Sequence, residues 1–278
     1  MSSADRAQFE ADLKDFVLTF RDGISTDSGD WTVKGFIDVF RNVYTISSDT
    51  KIVSKILEIH LFPLLLEFAN KKNYQIVLAD HQNYYPDLTF VDADDQSKKY
   101  AVDLKTTYRK PNQPGYCNGF TLGSHGAYFT DRTSTKNIQF PYSEYNGHFC
   151  LGVIYDRAVV KDIDETKRLR LEDLESITSV ISNIEFFVAE KWKIASDKGG
   201  SGNTANIGSI NHIQDIIEER GMFSELGEDW FDDYWMNFNK ISITTPDGET
   251  KKINNLAAFV EYKHGPIELV RKKRGLRG

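Results

Sequence analysis

Tyr85-Pro86-Asp87-Leu88-Thr89-Phe90-Val91 and Tyr100-Ala101-Val102-Asp103-Leu104-Lys105 flank a polar stretch that runs from Asp92 to Lys99. Both runs alternate in polarity around a centre near Asp95, which predicts a β-hairpin. Asp87 lies eight residues before that centre and Asp103 eight after it. In an antiparallel ladder of that register the two aspartates face each other across the strands. Asp103 and Lys105 are two residues apart and share one face, while Val102 and Leu104 point to the core. Two carboxylates and an ammonium therefore converge. Like charges directly opposed are unfavourable in a sheet, and a divalent cation would offset their repulsion. Hard oxygen ligands suit Mg²⁺, which binds through one or two carboxylates plus substrate phosphate and keeps several waters. The ordinary alternative is a surface salt bridge of Asp103 with Lys105.

Outward from the hairpin, apolar spacing at Phe9, Leu13, Phe16, Val17 and Phe20 predicts an amphipathic helix over residues 5–20. Alternation between Trp31 and Ile46 favours short strands. Ser48 and Asp49 suit the N-cap of a helix that begins near Ile52 and is kinked at Pro63. Tyr74–Leu78, Cys150–Tyr155 and Glu185–Ile194 read as strands, with a helix near Leu171–Ile181. Pro111, Pro114 and Gly115 make Arg109–Gly119 a surface loop. Ser196–Gly208 is rich in glycine and serine. Helices are expected at about 209–220 and 226–239, then a turn at Pro246–Gly248. Alternating helices and strands give an α/β class, and 278 residues suffice for one enlarged domain.

Other chemistries find little support. Cys117 and Cys150 are the two cysteines, too few for a disulfide framework and unaccompanied by a His-Asp pair. His60, His81, His125, His148, His212 and His264 lack ligand spacing and read as structural, with His81 beside Gln82. Gly200-Ser201-Gly202-Asn203-Thr204-Ala205 formally fits the dinucleotide pattern G-x-G-x-x-A, yet the acid due about twenty residues later would fall inside a predicted helix. Trp230, Phe231, Tyr234, Trp235 and Phe238 form a stripe at helical spacing that suits packing. The opening MSSADRAQFEADLKDF lacks the basic and apolar regions of a signal peptide, and no apolar run reaches a membrane span, so a soluble cytoplasmic protein is expected.

The same residues carry a resemblance. Pro86-Asp87 with Asp103-Leu104-Lys105 is the pattern of the PD-(D/E)xK nucleases, and the wider wording resembles the EcoRV-like type II restriction endonucleases. Matching blocks are Ser48-Asp49-Thr50-Lys51 with Glu58, Gln82-Asn83 before Tyr85, Thr106-Thr107-Tyr108 after Lys105, Phe120–Gly123, Thr135–Ile138, Gly200–Ile210 and Asp233–Trp235. The likeness is strong from about Ser47 to Asn239, apart from the Arg109–Gly119 loop and the charged connection after Tyr155. It implies a restriction-endonuclease-like mixed central β-sheet flanked by helices, in one domain spanning 1–278. A small dimerisation subdomain would comprise about 20–47 plus part of the helix at 48–69, and about 70–278 would form the catalytic and DNA-binding subdomain.

The resemblance implies a homodimer that cuts double-stranded DNA at a palindrome with Mg²⁺, for which Mn²⁺ substitutes, leaving 5′-phosphate and 3′-hydroxyl ends. A cognate DNA methyltransferase would protect host DNA. Asp87 and Asp103 would hold the metal, Lys105 would orient water and stabilise charge, and Glu58 would be an auxiliary acid or further metal ligand. DNA contacts would come from Gly200, Ser201, Gly202, Asn203, Thr204, Asn206, Gln82, Asn83, Thr50, Lys51, Thr107 and Lys136. Glycines let main-chain groups approach base edges, and Asn203 can bond adenine bidentately. The implied target is GATATC cut bluntly at its centre, although Ala205 stands where the family loop carries threonine. Rival readings are a structure-specific repair nuclease of the same catalytic type and a non-catalytic DNA-binding module.

The net charge of −7 argues at first against a DNA partner. It is a sum over unlike regions. Residues 251–278 hold eight Lys or Arg against two acids, a net +6, and part of the deficit elsewhere is Asp87, Asp103 and Glu58.

Overall fold

The computed structural model describes residues 3–81, 83–159, 165–200, 205–244 and 248–275. The predicted amino-terminal helix is α1 (Ser3–Val17), followed by the short α2 (Phe20–Ile24). The alternation after Trp31 forms a hairpin of β1 (Gly35–Ile37) and β2 (Asn42–Thr45). Asp49 caps α3 (Thr50–Lys71), its carboxylate accepting from the backbone N–H of Lys51 at 2.9 Å and of Ile52 at 3.4 Å. Pro63 removes one ladder hydrogen bond, yet α3 continues past it to Lys71.

Next come β3 (Tyr74–Leu78), β4 (Leu88–Asp92) and β5 (Lys99–Tyr108), then β6 (Thr121–Ser124), α4 (Ala127–Thr130) and β7 (Tyr145–Arg157). After β8 (Arg168–Arg170) follow β9 (Ile181–Glu190), β10 (Ala195–Gly199), β11 (Asn206–Ser209), α5 (Ile213–Ile217) and α6 (Glu228–Asn237). The chain ends through β12 (Ser242–Thr244), β13 (Thr250–Lys252), α7 (Leu256–Tyr262) and α8 (Ile267–Gly275). Thr244 pairs with Thr250, flanking the turn expected at Pro246–Gly248, which lies mostly outside the described residues.

The central sheet has the order β3-β4-β5-β7-β9. β5 and β7 run parallel, and every other pairing in it is antiparallel. Side-chain alternation along β5 decides what each face buries. Tyr100 and Val102 join α1 and α3 through Phe9, Leu13, Leu57, Leu65 and Phe68. Ala101, with Cys150 of β7 and Ala189 of β9, faces the second core, where Phe129, Tyr142, Phe231, Tyr234 and Trp235 pack. The mixed sheet is thus flanked by helices, as the α/β reading expects, and the aromatic stripe of α6 is core. Among the described residues, three smaller sheets are β1-β2-β8, β10-β11-β6 and β12-β13.

Two expected helices are not formed as read. Leu171–Ser176 is a 3₁₀ turn. The Arg170 backbone N–H donates to the Asp173 carboxylate at 2.8 Å, and Leu171 and Leu174 are each 38% exposed, so no apolar helical face exists there. Buried Ile177 and Val180 feed instead into β9, which starts four residues before the expected strand and ends at Glu190. The helix expected at 209–220 shrinks to α5. Ile210 donates its N–H to the Ile194 carbonyl and the Asn211 carbonyl accepts from Cys117, which holds the preceding residues extended.

Candidate active site

The register of the hairpin is the one its sequence symmetry requires. Leu88 pairs with Val102 and Thr89 with Ala101, so the next step of the ladder brings Asp87 opposite Asp103. The backbone N–H of Leu104 donates to Asp87 Oδ2 at 2.7 Å, and that of Asp87 donates to Asp103 Oδ1 at 3.4 Å. Lys105 Nζ stands 2.6 Å from Asp103 Oδ2 and 3.9 Å from Asp87 Oδ2. Asp103 is 8% exposed, whereas the Asp87 side chain is 40% exposed and opens outward.

The charges respond to this crowding. Burial, and then the facing Asp103, push the Asp87 carboxyl up to about 7. Burial alone would lower Lys105, but Asp103 and Asp87 outweigh it and hold the ammonium protonated. Cys150, beside Asp103 in the β5–β7 ladder, is pushed up by burial and stays a thiol. Both cysteines are free and buried, which gives a thiol nucleophile no support.

Asp87 lies on a cleft of about 1,090 Å³ between α3 and the hairpin. The cleft is also lined by Thr50, Lys51 and Glu58 of α3, by His81 and Tyr84, and by Thr107 and Arg157. Asp87, Asp103 and Lys105 are brought together; Glu58 shares the cleft but is ion-paired with Lys55 at 2.7 Å. Among the described residues no three His, Cys, Asp or Glu side chains gather as a metal-binding group. The two facing carboxylates, Asp87 and Asp103, are the donor set that the geometry offers to a hard divalent ion, whose remaining positions water and phosphate oxygens would fill.

The other expected residues scatter around this centre. Thr107 is buried and its hydroxyl donates to the Asn118 carbonyl. Asn83 and Lys136 are exposed, each two residues before a partner of the parallel bridge between Tyr85 and Ile138. Gly200 donates its N–H to the Asn206 carbonyl at 2.7 Å, closing the mouth of the β10–β11 hairpin. Gln82 and the loop residues Ser201, Gly202, Asn203 and Thr204 lie outside the described residues. Sequence reasoning missed Lys55, Tyr84 and Arg157 as cleft residues. Lys55 had a signal, since Lys51, Lys55 and Glu58 fall at i, i+4 and i+7 on one helix face.

A helix-flanked mixed sheet with two facing carboxylates and a lysine at its open end defines a restriction-endonuclease-like nuclease. The family model for "Restriction endonuclease EcoRV" matches residues 27–264. The type II restriction enzyme EcoRV of Escherichia coli is 35% identical over 230 residues, 82% of this chain and 89% of that protein. The chain belongs to the EcoRV family of type II restriction endonucleases. Among solved structures, the NlaIV restriction endonuclease aligns with a TM-score of 0.37 and 13% identity, covering 71% of this chain. The chain spans 65% of the length of that neighbour. Among the described residues no helix is long and apolar enough to cross a membrane.

Proposed function

We propose that the protein is a homodimeric, Mg²⁺-dependent endonuclease that cleaves double-stranded DNA bluntly at the centre of GATATC. The observation that carries the chemistry is the facing of Asp87 and Asp103 with Lys105 Nζ 2.6 Å from Asp103. Asp87 and Asp103 would hold the ion, with Glu58 as an auxiliary acid; Mn²⁺ would substitute. When bound, the ion supplies Lewis-acid polarisation of water and phosphate oxygens.

The chain's own residues do the rest. With its ammonium 2.6 Å from Asp103, Lys105 would serve as a hydrogen-bond donor and positioner. Its ammonium orients the attacking water and stabilises charge developing on the phosphate. Water oxygen bonds to phosphorus as the bond from phosphorus to the 3′ oxygen breaks; the attacking water's proton passes to solvent and a solvent water protonates the departing 3′ oxygen, so the ends are 5′-phosphate and 3′-hydroxyl. Thr50 and Lys51 at the start of α3, with Asn83 and Lys136, would grip the backbone and minor groove, and the buried Thr107 would act by holding the Asn118 carbonyl. The β10–β11 loop, with Gly200 and Asn206 at its mouth, would read the outer bases.

Dimerisation would use residues of about 20–47 and part of α3, with about 70–278 as the catalytic and DNA-binding part. That reading is supported by the β1–β2 hairpin, where Phe36, Ile37 and Phe40 are 53%, 59% and 76% exposed. Host DNA would be shielded by a methyltransferase that modifies the same site. The test is digestion of a mapped plasmid with Mg²⁺ and with EDTA. Blunt fragments ending mid-GATATC, and none with EDTA, are expected. Ends elsewhere would overturn the target, and cutting confined to junctions or lesions would point to a repair nuclease.

A further inference from the structure

Lys191 follows the last residue of β9 and opens the 3₁₀ turn Lys191–Ile194 that leads into β10. It therefore stands where the sheet carrying Asp103 passes into the hairpin of the glycine-rich loop. Its side chain does not turn to solvent and is 3% exposed. Nζ lies 5.1 Å from the ring centre of Tyr85, 5.4 Å from that of Phe129 and 5.8 Å from that of Tyr142. Among the described residues it has no hydrogen-bond partner. On the remaining side β6 closes in, since a Cβ on Gly123 would stand 3.3 Å from Nζ.

An ammonium buried without a paired carboxylate is costly, and ring faces return part of that cost. A methionine would fill the same space with no charge to desolvate. The charge is therefore more than packing needs. Ala189 pairs with Cys150 and Cys150 with Asp103, so Lys191 emerges two residues beyond a row that crosses the sheet to Asp103. Among surrounding acids Asp103 favours the ammonium most, ahead of Asp232, while Arg132 and Lys105 act against it. Burial pushes the group down to about 8, which leaves it a cation at neutral pH.

We propose that Lys191 is a positioning residue of the cleavage site: a buried cation, caged by Tyr85, Phe129 and Tyr142, that balances the charge of Asp103 and limits how tightly the Asp87–Asp103 pair takes a divalent cation. The inference rests on reading that pair as the metal site. Its sign separates it from a structural role. Removing a fixed positive charge near the pair tightens cation binding, whereas damage to the core loosens it.

The experiment titrates Mn²⁺ into the full chain at pH 7, followed by electron paramagnetic resonance, for wild type, Lys191→Met, Lys191→Gln and Asp103→Asn. The two charge-free variants cover the case in which one does not fold, and thermal melts check each. Lys191→Met should bind Mn²⁺ on the order of tenfold more tightly, and the Mg²⁺ concentration for half-maximal cleavage should fall with it. Equal or weaker Mn²⁺ binding by a folded charge-free variant would overturn the inference. If Asp103→Asn still abolishes binding in that case, the metal-site reading survives; if wild type binds no Mn²⁺, both readings fall.

Discussion

Asp87 is the residue on which the site's charge balance turns, because burial and the facing Asp103 both act against its ionised form. Asp87→Asn keeps an oxygen for the Leu104 N–H and removes one of two opposed charges. The variant should melt no lower than wild type in the absence of divalent ions, while cleavage falls by roughly a thousandfold or more. Lys105→Ala should cost about 10²–10³ in cleavage rate, the usual loss when a donor to developing charge is removed. Circular dichroism melts with single-turnover cleavage check both variants. Cleavage near the wild-type rate by either would remove that residue from the mechanism. The pair was legible because a hairpin with a centred turn fixes which residues oppose. Lys191 was not, because a lysine in an alternating run gives no sign that its ammonium will be buried.

At the scale of elements, α1 matters most beyond the catalytic hairpin, and it precedes the region matched by the family model. Phe9 stacks on Tyr100 of β5 with centroids 4.1 Å apart and rings 4° from parallel, and it also meets Phe68, Tyr74, Phe90 and Phe149. Phe9→Ala should destabilise the fold by about 3–5 kcal/mol, read from denaturant unfolding. One turn on, Glu10 is 7% exposed and bonds Lys14 at 2.6 Å, with Lys193 Nζ at 3.4 Å. Burial alone would raise its carboxyl, yet the ammonium groups of Lys14 and Lys193 beside it bring it down to about 2. A depressed acid stabilises the fold above its unfolded value near 4.5, and that contribution fades as pH falls towards 2. Glu10→Gln should therefore lower stability at pH 7, read from denaturant unfolding, with the gap closing on acidification; a gap independent of pH would sink this account. Period-2 alternation made β3, β4, β5 and the β1–β2 hairpin legible. The helix expected near Leu171–Ile181 did not form and the one expected at 209–220 shrank to α5, because side-chain-to-backbone bonds and strand pairing decided those segments, and neither is written in apolar spacing.

For the molecule as a whole, the exposed Phe36, Ile37 and Phe40 on β1–β2 are an apolar surface that a second copy would cover. Phe40→Asp should shift sedimentation from dimer to monomer and end paired-strand cleavage; a dimer that persists would move the interface elsewhere. The net −7 then bears on DNA through its distribution. The cleft sets Lys51, Lys55 and Arg157 against Asp49, Glu58 and Asp87, with Asp103 just behind. Phosphate brought to the open end of the hairpin meets Asp87 with Asp103 behind it, and the neighbouring Lys105 and Lys55 are engaged with acids. A hard divalent ion at the pair reverses that local sign, and the gain should appear in binding as well as in cleavage. Affinity for a duplex containing the target should rise by about tenfold or more on adding Ca²⁺ at fixed ionic strength. The same rise should appear with Mg²⁺ on Lys105→Ala, in which the duplex survives. Affinity for unrelated duplex should change little, because the contacts proposed for Thr50 and Lys51 of α3 do not involve the pair. Equal affinity for the target with and without the ion would mean that the carboxylates do not face the phosphate, and the acidic cleft would then need another explanation.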